Sequence, residues 1–191
     1  MSKTFPGTLF LVVGNSGSGK DSIINGALNK YPSYLKKIYV PKRYITREPS
    51  ETEENIMISP SKFKELSSKG AFALEWYIYR LYYGIPIEID EWLKKGHPVV
   101  INVSRTVIKI AREIYHNIKV IFIQVPFEIT LKRIKERERE GEDRLKERIE
   151  RAKRNQTFPD ADFIVDNSGK LENAIDQFLN CIIKVLESKN K

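Results

Sequence analysis

Lys20 closes the glycine-rich run Gly14-Asn15-Ser16-Gly17-Ser18-Gly19, a combination suited to holding phosphate. The glycines let successive backbone N–H groups turn toward one point, and the lysine beyond them carries a point charge to outer phosphates. The flanks agree. Thr8-Leu9-Phe10-Leu11-Val12-Val13 reads as a buried strand, and Lys20 to Asn29 follows a helical pattern. A helix that starts at the lysine adds its positive N-terminal dipole. The simpler alternative is a glycine turn that merely joins strand to helix. Asp21 stands where phosphate loops usually carry a Ser or Thr hydroxyl for magnesium. Its carboxylate is a hard oxygen ligand for Mg2+; equally, it is an acid favoured in a first helical turn, with Ser22 or water serving the metal.

Further side chains suited to anions recur along the chain. Arg43-Tyr44-Ile45-Thr46-Arg47 places two arginines four apart, either on one helical face or together at a strand-to-loop bend. A guanidinium matches phosphate through its planar fork, although surface pairing with the acids of Glu48 to Glu54 is the plainer use. Asn102, Ser104 and Arg105 follow the strand Pro98 to Val103, at the carboxyl end where open α/β sheets bind ligands. Between Arg133 and Asn155 the chain turns polar and arginine-rich, with Gly141 between two helical stretches. Such a hairpin suits either a lid that closes over phosphates or a solvated pair of helices supported by Glu–Lys/Arg pairs.

These residues need a frame, and the pattern supplies one. Strands at Ala71 to Trp76, Pro98 to Val103, Lys119 to Val125 and Ala161 to Val165 alternate with helices. The helices are Pro60 to Leu66 (capped by Ser59), Pro86 to Lys95, Ser104 to about Tyr115, a long one from Pro126, Asp143 to about Asn155, and Leu171 to Leu186. Lys37 to Tyr44 reads as extended, and Tyr77 to Tyr83 as a tyrosine-dense stretch of either stacked core or pocket hydroxyls. The alternation predicts an α/β fold, a parallel sheet with helices on both faces. At 191 residues, 41% hydrophobic, the chain is sized for one domain over 1–191, with a small inserted substrate lobe at about 37–92 and a helical lid at about 133–148.

The net charge of +8 suits an anionic partner, yet most charges alternate in sign along helices, as on a solvated face. A small phosphorylated substrate is therefore expected, with no nucleic acid. Cys181 falls in an apolar helical pattern and reads as a core thiol. His97 and His116 lack neighbours at ligand spacing, which predicts no metal cluster. No apolar run reaches membrane-spanning length and no leader layout opens the sequence, so a cytoplasmic protein without a membrane partner is expected, as a monomer or homodimer.

Five segments carry a family resemblance: Gly14-Asn15-Ser16-Gly17-Ser18-Gly19-Lys20-Asp21-Ser22, Arg43-Tyr44-Ile45-Thr46-Arg47, Leu81-Tyr82-Tyr83-Gly84, Asn102-Val103-Ser104-Arg105 and Asn167-Ser168-Gly169. Over nearly its whole length the chain resembles the guanylate-kinase-like branch of P-loop kinases. Within that branch it is similar to the ribose 1,5-bisphosphate phosphokinases of phosphonate catabolism, which make phosphoribosyl diphosphate (PRPP) from ATP. Guanylate kinases carry a base-reading serine where Arg43 stands, a second phosphate-binding arginine where Ser50 stands, and aspartates at Asn102 and Ser104. An arginine in place of the serine matches a substrate with phosphates at both ends and no base. Glu75 stands where guanylate kinases use a glutamate for guanine; here it could pair with Arg43, orient a ribose hydroxyl or retain nucleotide recognition.

The resemblance implies ATP and Mg2+ as cofactors and gives the residues their roles. Lys20 and the loop amides hold ATP phosphates, while Arg47 and Tyr83 grip the accepting phosphate. Arg137 and Arg148, with Arg133 and Arg139 as further candidates, close on the transferring group. Asn167 lies at the turn near adenine. The rival readings are a guanylate or other nucleoside monophosphate kinase, and a catalytically inactive binding module of the same fold.

Overall fold

The computed structural model describes residues 2–48, 54–136 and 142–189. Arg137, Arg139 and Ser50 lie outside the described residues, as does part of the expected lid. The chain forms two compact units: Met1–Leu11 with Pro32–Ile118, and Val12–Tyr31 with Lys119–Lys191.

A parallel sheet flanked by helices has the strand order β6-β1-β7-β8. It is built from β1 (Leu9–Gly14), β6 (Val99–Asn102), β7 (Ile118–Gln124) and β8 (Phe163–Asp166). In the second unit, β7 pairs with β8 in parallel register, Ile121 opposite Phe163 and Ile123 opposite Val165. Val12, Val13, Val120, Ile121, Phe122 and Ile123 are all buried, the continuous apolar strand pattern of a sheet covered on both faces. Helix α1 (Lys20–Lys30) packs on α7 (Leu171–Ser188), so closely that a Cβ on Gly26 would meet Ile175 Cδ1 at 2.3 Å. Helices α5 (Phe127–Glu136) and α6 (Glu142–Arg154) pack on each other.

In the first unit a second sheet, ordered β3-β2-β5-β4, falls within the segment 37–92. Its strands are β2 (Arg43–Ile45), β3 (Asn55–Met57), β4 (Phe72–Ile78) and β5 (Leu81–Pro86). The tyrosine-dense stretch is a tight β4–β5 hairpin, with Tyr79 and Arg80 at φ 53° and 61° in the turn. Within the expected extended segment from Lys37 to Tyr44, Tyr39 forms an isolated parallel bridge with Val99, and Arg43 and Tyr44 open β2. The expected helix from Pro86 starts late: Pro86 ends β5, and α3 runs Ile89–Lys94. Proline fits a strand end because it lacks the N–H a ladder needs. Helix α2 (Pro60–Ser68) begins as its sequence predicts, with Ser59 Oγ accepting the Lys62 N–H at 3.1 Å. The helix after β6 opens as a 3-10 turn at Arg105–Val107 and continues as α4 (Ile108–Ile114).

A buried polar cluster fastens the N-terminal segment of this unit. Asp90, in the first turn of α3, accepts from Tyr115 OH at 2.7 Å and Lys3 Nζ at 2.5 Å. Burial, and then the Asp90 carboxylate, push the Tyr115 hydroxyl far above the ordinary tyrosine range. Among the described residues, no helix is long and apolar enough to cross a membrane.

Candidate active site

Gly14 ends β1 and Lys20 begins α1, so the loop spans the strand-to-helix turn as its spacing predicts. Gly17 and Gly19 adopt left-handed φ angles of 81° and 85°, open to glycine at no steric cost. Gly19 caps α1 without a side-chain hydrogen bond, leaving the first-turn N–H groups suited to an anion. The Lys20 ammonium folds over the loop, donating to Gly14 O at 2.9 Å, Asn15 O at 3.0 Å and Ser18 Oγ at 3.3 Å. Asp21 is half-buried in the first turn of α1, and Ser22 is exposed.

Side chains from later elements grip this loop residue by residue. Arg148 of α6 donates to Ser16 Oγ through Nε at 3.0 Å and also through Nη2. Arg133 of α5 reaches Gly17 O and Asn167 O, each at 3.4 Å. Asn167 Nδ2 donates to Ser18 O at 2.8 Å. Asn15 Nδ2 donates to Ala152 O at 3.2 Å and Asn155 O at 3.0 Å, satisfying carbonyls at the end of α6. The lid-side arginines Arg133 and Arg148 and the turn residue Asn167 are thus gathered on the phosphate loop. Asn167 is buried, and its Oδ1 has no donor among the described residues. A buried acceptor of this kind calls for a donor from a ligand or water.

The acceptor residues named from sequence lie in the first unit. Arg43, on β2, donates through Nε to Asn55 Oδ1 at 3.2 Å and through Nη1 to Asn102 O at 3.1 Å. Arg47 follows β2 in the strand-to-loop arrangement, not a helical one, and donates to Glu48 O at 3.0 Å. Tyr83 on β5 pairs with Ile45 on one side and Trp76 on the other, its ring stacked 5.2 Å from Trp76. Ser104 Oγ accepts from Thr106 N at 3.3 Å and from Thr106 Oγ1 at 2.9 Å, capping the turn that Arg105 begins.

Of the alternatives open for Glu75, pairing with Arg43 is the one the sheet register bears on. Glu75 pairs in register with Gly84, which pairs with Tyr44, so these three share one face of the sheet. That face is covered by α2: Phe63 stacks on Tyr82 and Phe72, and Ser67 Oγ donates to Glu75 Oε1 at 3.0 Å. Arg43, Ile45, Tyr83 and Trp76 take the other face by the same alternation. Glu75 therefore pairs with Ser67 and not with Arg43. Its pairing with Gly84 sets this face, and a bulge between Phe72 and Leu74 brings Phe72 to the same side.

Two contributors were not singled out by sequence reasoning. Asn55, which holds Arg43, carries only the weak signal of a polar residue opening an apolar triplet. Asn15 was read as part of the loop backbone, and nothing in the sequence marks its amide as the partner of α6.

The guanylate kinase family model matches residues 7–185. The chain belongs to the guanylate kinase family. Its curated relatives within that family include the ribose 1,5-bisphosphate phosphokinase PhnN of Rhodopseudomonas palustris. That protein is 39% identical over 147 residues, 77% of this chain and 75% of its own length. The enzyme of the same name from Klebsiella pneumoniae is 37% identical over 180 residues, 93% of each chain. The crystal structure of guanylate kinase from Anaplasma phagocytophilum superimposes with a TM-score of 0.69 at 18% identity, covering 97% of this chain and 89% of that one. The family fold is thereby the fold of this chain, an α/β P-loop kinase.

Proposed function

We propose that this guanylate kinase family member transfers the γ-phosphoryl group of ATP to ribose 1,5-bisphosphate, giving 5-phosphoribosyl 1-diphosphate and ADP. The observation that carries the reading is Arg43: a cation held on the Tyr83 face of the substrate sheet, where a second anionic group of the acceptor needs one. The orientation of Glu75 toward Ser67 on the opposite face favours a sugar phosphate over guanine. Curated relatives named ribose 1,5-bisphosphate phosphokinase, 34–39% identical, support it independently.

In the reaction an oxygen of the 1-phosphate attacks the γ-phosphorus of ATP. The bond from that phosphorus to the β–γ bridging oxygen breaks, and its electron pair leaves with ADP. The attacking oxygen is already ionised, so no general base is required. The protein's work is positioning and charge neutralisation. Lys20 and the amides of Gly14 to Ser22 hold the nucleotide phosphates, with Asn167 at the turn near adenine. Arg47 and Tyr83 hold the accepting phosphate, Arg43 the distant one, and Asn102, Ser104 and Arg105 border the acceptor. Arg148 and Arg133, with Arg137, neutralise charge on the transferring group. Asp21 and Ser22 fit Mg2+, which takes hard oxygen donors, nucleotide oxygens and water; when bound it supplies further charge neutralisation.

On this reading the substrate lobe at about 37–92 and the lid at about 133–148 serve one kinase domain. The partner is a small phosphorylated molecule, without nucleic acid or membrane, in a cytoplasmic monomer or homodimer. ADP release measured with ribose 1,5-bisphosphate, GMP, AMP and dGMP tests the substrate, and 31P NMR of the product reads the new diphosphate. Turnover of GMP exceeding that of the sugar bisphosphate overturns the proposal in favour of a nucleoside monophosphate kinase.

A further inference from the structure

We infer that Asn55 is a positioning residue for acceptor specificity, acting through Arg43. The inference rests on the role proposed above for Arg43. Strands β2 and β3 pair in parallel with Arg43 opposite Asn55, Tyr44 opposite Ile56 and Ile45 opposite Met57. Register partners in a sheet present their side chains on the same face, so this pairing brings the Asn55 amide beside the Arg43 side chain. Asn55 Oδ1 accepts from Nε at 3.2 Å, while the Asn102 carbonyl, at the end of β6, accepts from Nη1 at 3.1 Å.

Two acceptors on two N–H groups of one planar guanidinium fix both its position and the direction of its plane. They come from separate strands, and Arg43 is half-buried between them. Both are uncharged, so they orient the cation without cancelling its charge. A carboxylate at position 55 would hold the guanidinium as well but would neutralise it, weakening its attraction for a phosphate. An asparagine meets both needs: an acceptor for Nε and no negative charge. Arginine otherwise loses considerable side-chain freedom when it binds a ligand, and orientation beforehand lowers that cost.

The test is a double-mutant cycle on Asn55 and Arg43, joined to a substrate-free measurement. Asn55→Ala should raise KM for ribose 1,5-bisphosphate roughly 5- to 30-fold, a part of what losing Arg43 itself would cost, with kcat and KM for ATP within about twofold. In an Arg43→Ala background the same change should cost less than about twofold, because its target is gone. Equal cost in both backgrounds overturns the inference. Asn55→Asp keeps the acceptor and should also raise KM, while holding Arg43 in place. NMR of 15N-arginine-labelled protein reads that placement directly, since the Arg43 Nε–H should exchange faster in Asn55→Ala and stay protected in Asn55→Asp. An Arg43 signal unchanged by Asn55→Ala overturns the inference even without substrate. A wild-type enzyme inactive on ribose 1,5-bisphosphate instead overturns the function proposed above and leaves the NMR result to decide this one.

Discussion

The side-chain amide of Asn167 donates to the carbonyl of Ser18 at 2.8 Å, tying the turn after β8 to the middle of the phosphate loop. The same Nδ2 would lie 2.6 Å from a Cβ built on Gly19. Gly19 is therefore fixed twice, by its φ of 85° and by the amide packed against its α-carbon. Gly19→Ala should cost about 1–2 kcal/mol in left-handed backbone strain alone and displace Asn167. The expected outcome is a lower melting temperature together with weaker ATP binding by calorimetry. Unchanged ATP affinity would separate the Asn167 turn from the nucleotide site.

Lys20 donates within its own loop to Gly14, Asn15 and Ser18. Its ammonium thus rests on a piece of backbone that the nucleotide phosphates are expected to approach. Lys20→Ala should reduce phosphoryl transfer by more than about 100-fold with little change in melting temperature. Turnover within about tenfold of wild type, a loss under roughly 1.4 kcal/mol, contradicts the phosphate-loop role.

The phosphate loop was legible in the sequence because its chemistry is local: glycine freedom, a lysine and the flanking patterns all fall within Thr8 to Asn29. The Ser59–Pro60 helix start was legible for the same reason. What remained hidden depends on register. The Tyr79–Arg80 turn uses left-handed backbone without the Gly or Asn that usually announces it. The three-residue strands β2 and β3 are too short for any periodicity, so the Arg43–Asn55 contact had no sequence signal. Glu75 could be assigned to a strand from its neighbours, but its face depends on its pairing with Gly84. Gly84 is itself explained only in space, because the Phe72 ring lies where its Cβ would be.

Arg148 reaches Ser16 from α6, whose C-terminal carbonyls are held by Asn15. In the proposed reaction Arg148 acts on charge that develops during transfer more than on ATP in its ground state. Arg148→Ala should lower kcat on the order of 100-fold while KM for ATP changes by less than about threefold. An unchanged kcat with weakened ATP binding contradicts that role.

Tyr115 is almost fully buried and donates to Asp90 Oδ1, with Lys3 on the other oxygen. Removing the hydroxyl in Tyr115→Phe leaves a buried carboxylate oxygen short of a donor and should cost about 1–3 kcal/mol at neutral pH. The pH dependence has a definite sign. The hydroxyl's folded pKa is raised by burial and then by Asp90, whereas an unfolded tyrosine ionises near pH 10. Its contribution is complete below about pH 10 and is lost as pH rises from there toward the folded value. Urea titrations at successive alkaline pH values should show wild-type stability falling more steeply than that of Tyr115→Phe. Parallel decline in the two proteins refutes the assignment.

Arg43 and Glu75 lie on opposite faces of the β3-β2-β5-β4 sheet, and this separates the two candidate acceptors experimentally. With ribose 1,5-bisphosphate, Arg43→Ser removes a charge-assisted contact worth on the order of 1.5–3 kcal/mol, so kcat/KM should fall roughly 10- to 150-fold. With GMP the loss should be small, because a nucleoside monophosphate has no second phosphate for Arg43 to meet. Glu75→Gln should change sugar bisphosphate turnover by less than about threefold: the amide can still accept from Ser67, and the acid stands on the α2 side. A guanylate kinase reverses the order. There Glu75→Gln removes the acceptor for guanine N–H groups and collapses GMP phosphorylation, while Arg43→Ser is neutral or favourable. Two substrates on the wild type and both variants give a pattern that global destabilisation does not imitate, since a poorly folded variant loses both activities together. Strong wild-type GMP turnover that collapses in Glu75→Gln is the outcome that rules out the sugar bisphosphate, because it would require the Ser67-bonded carboxylate to turn from α2 toward the nucleotide.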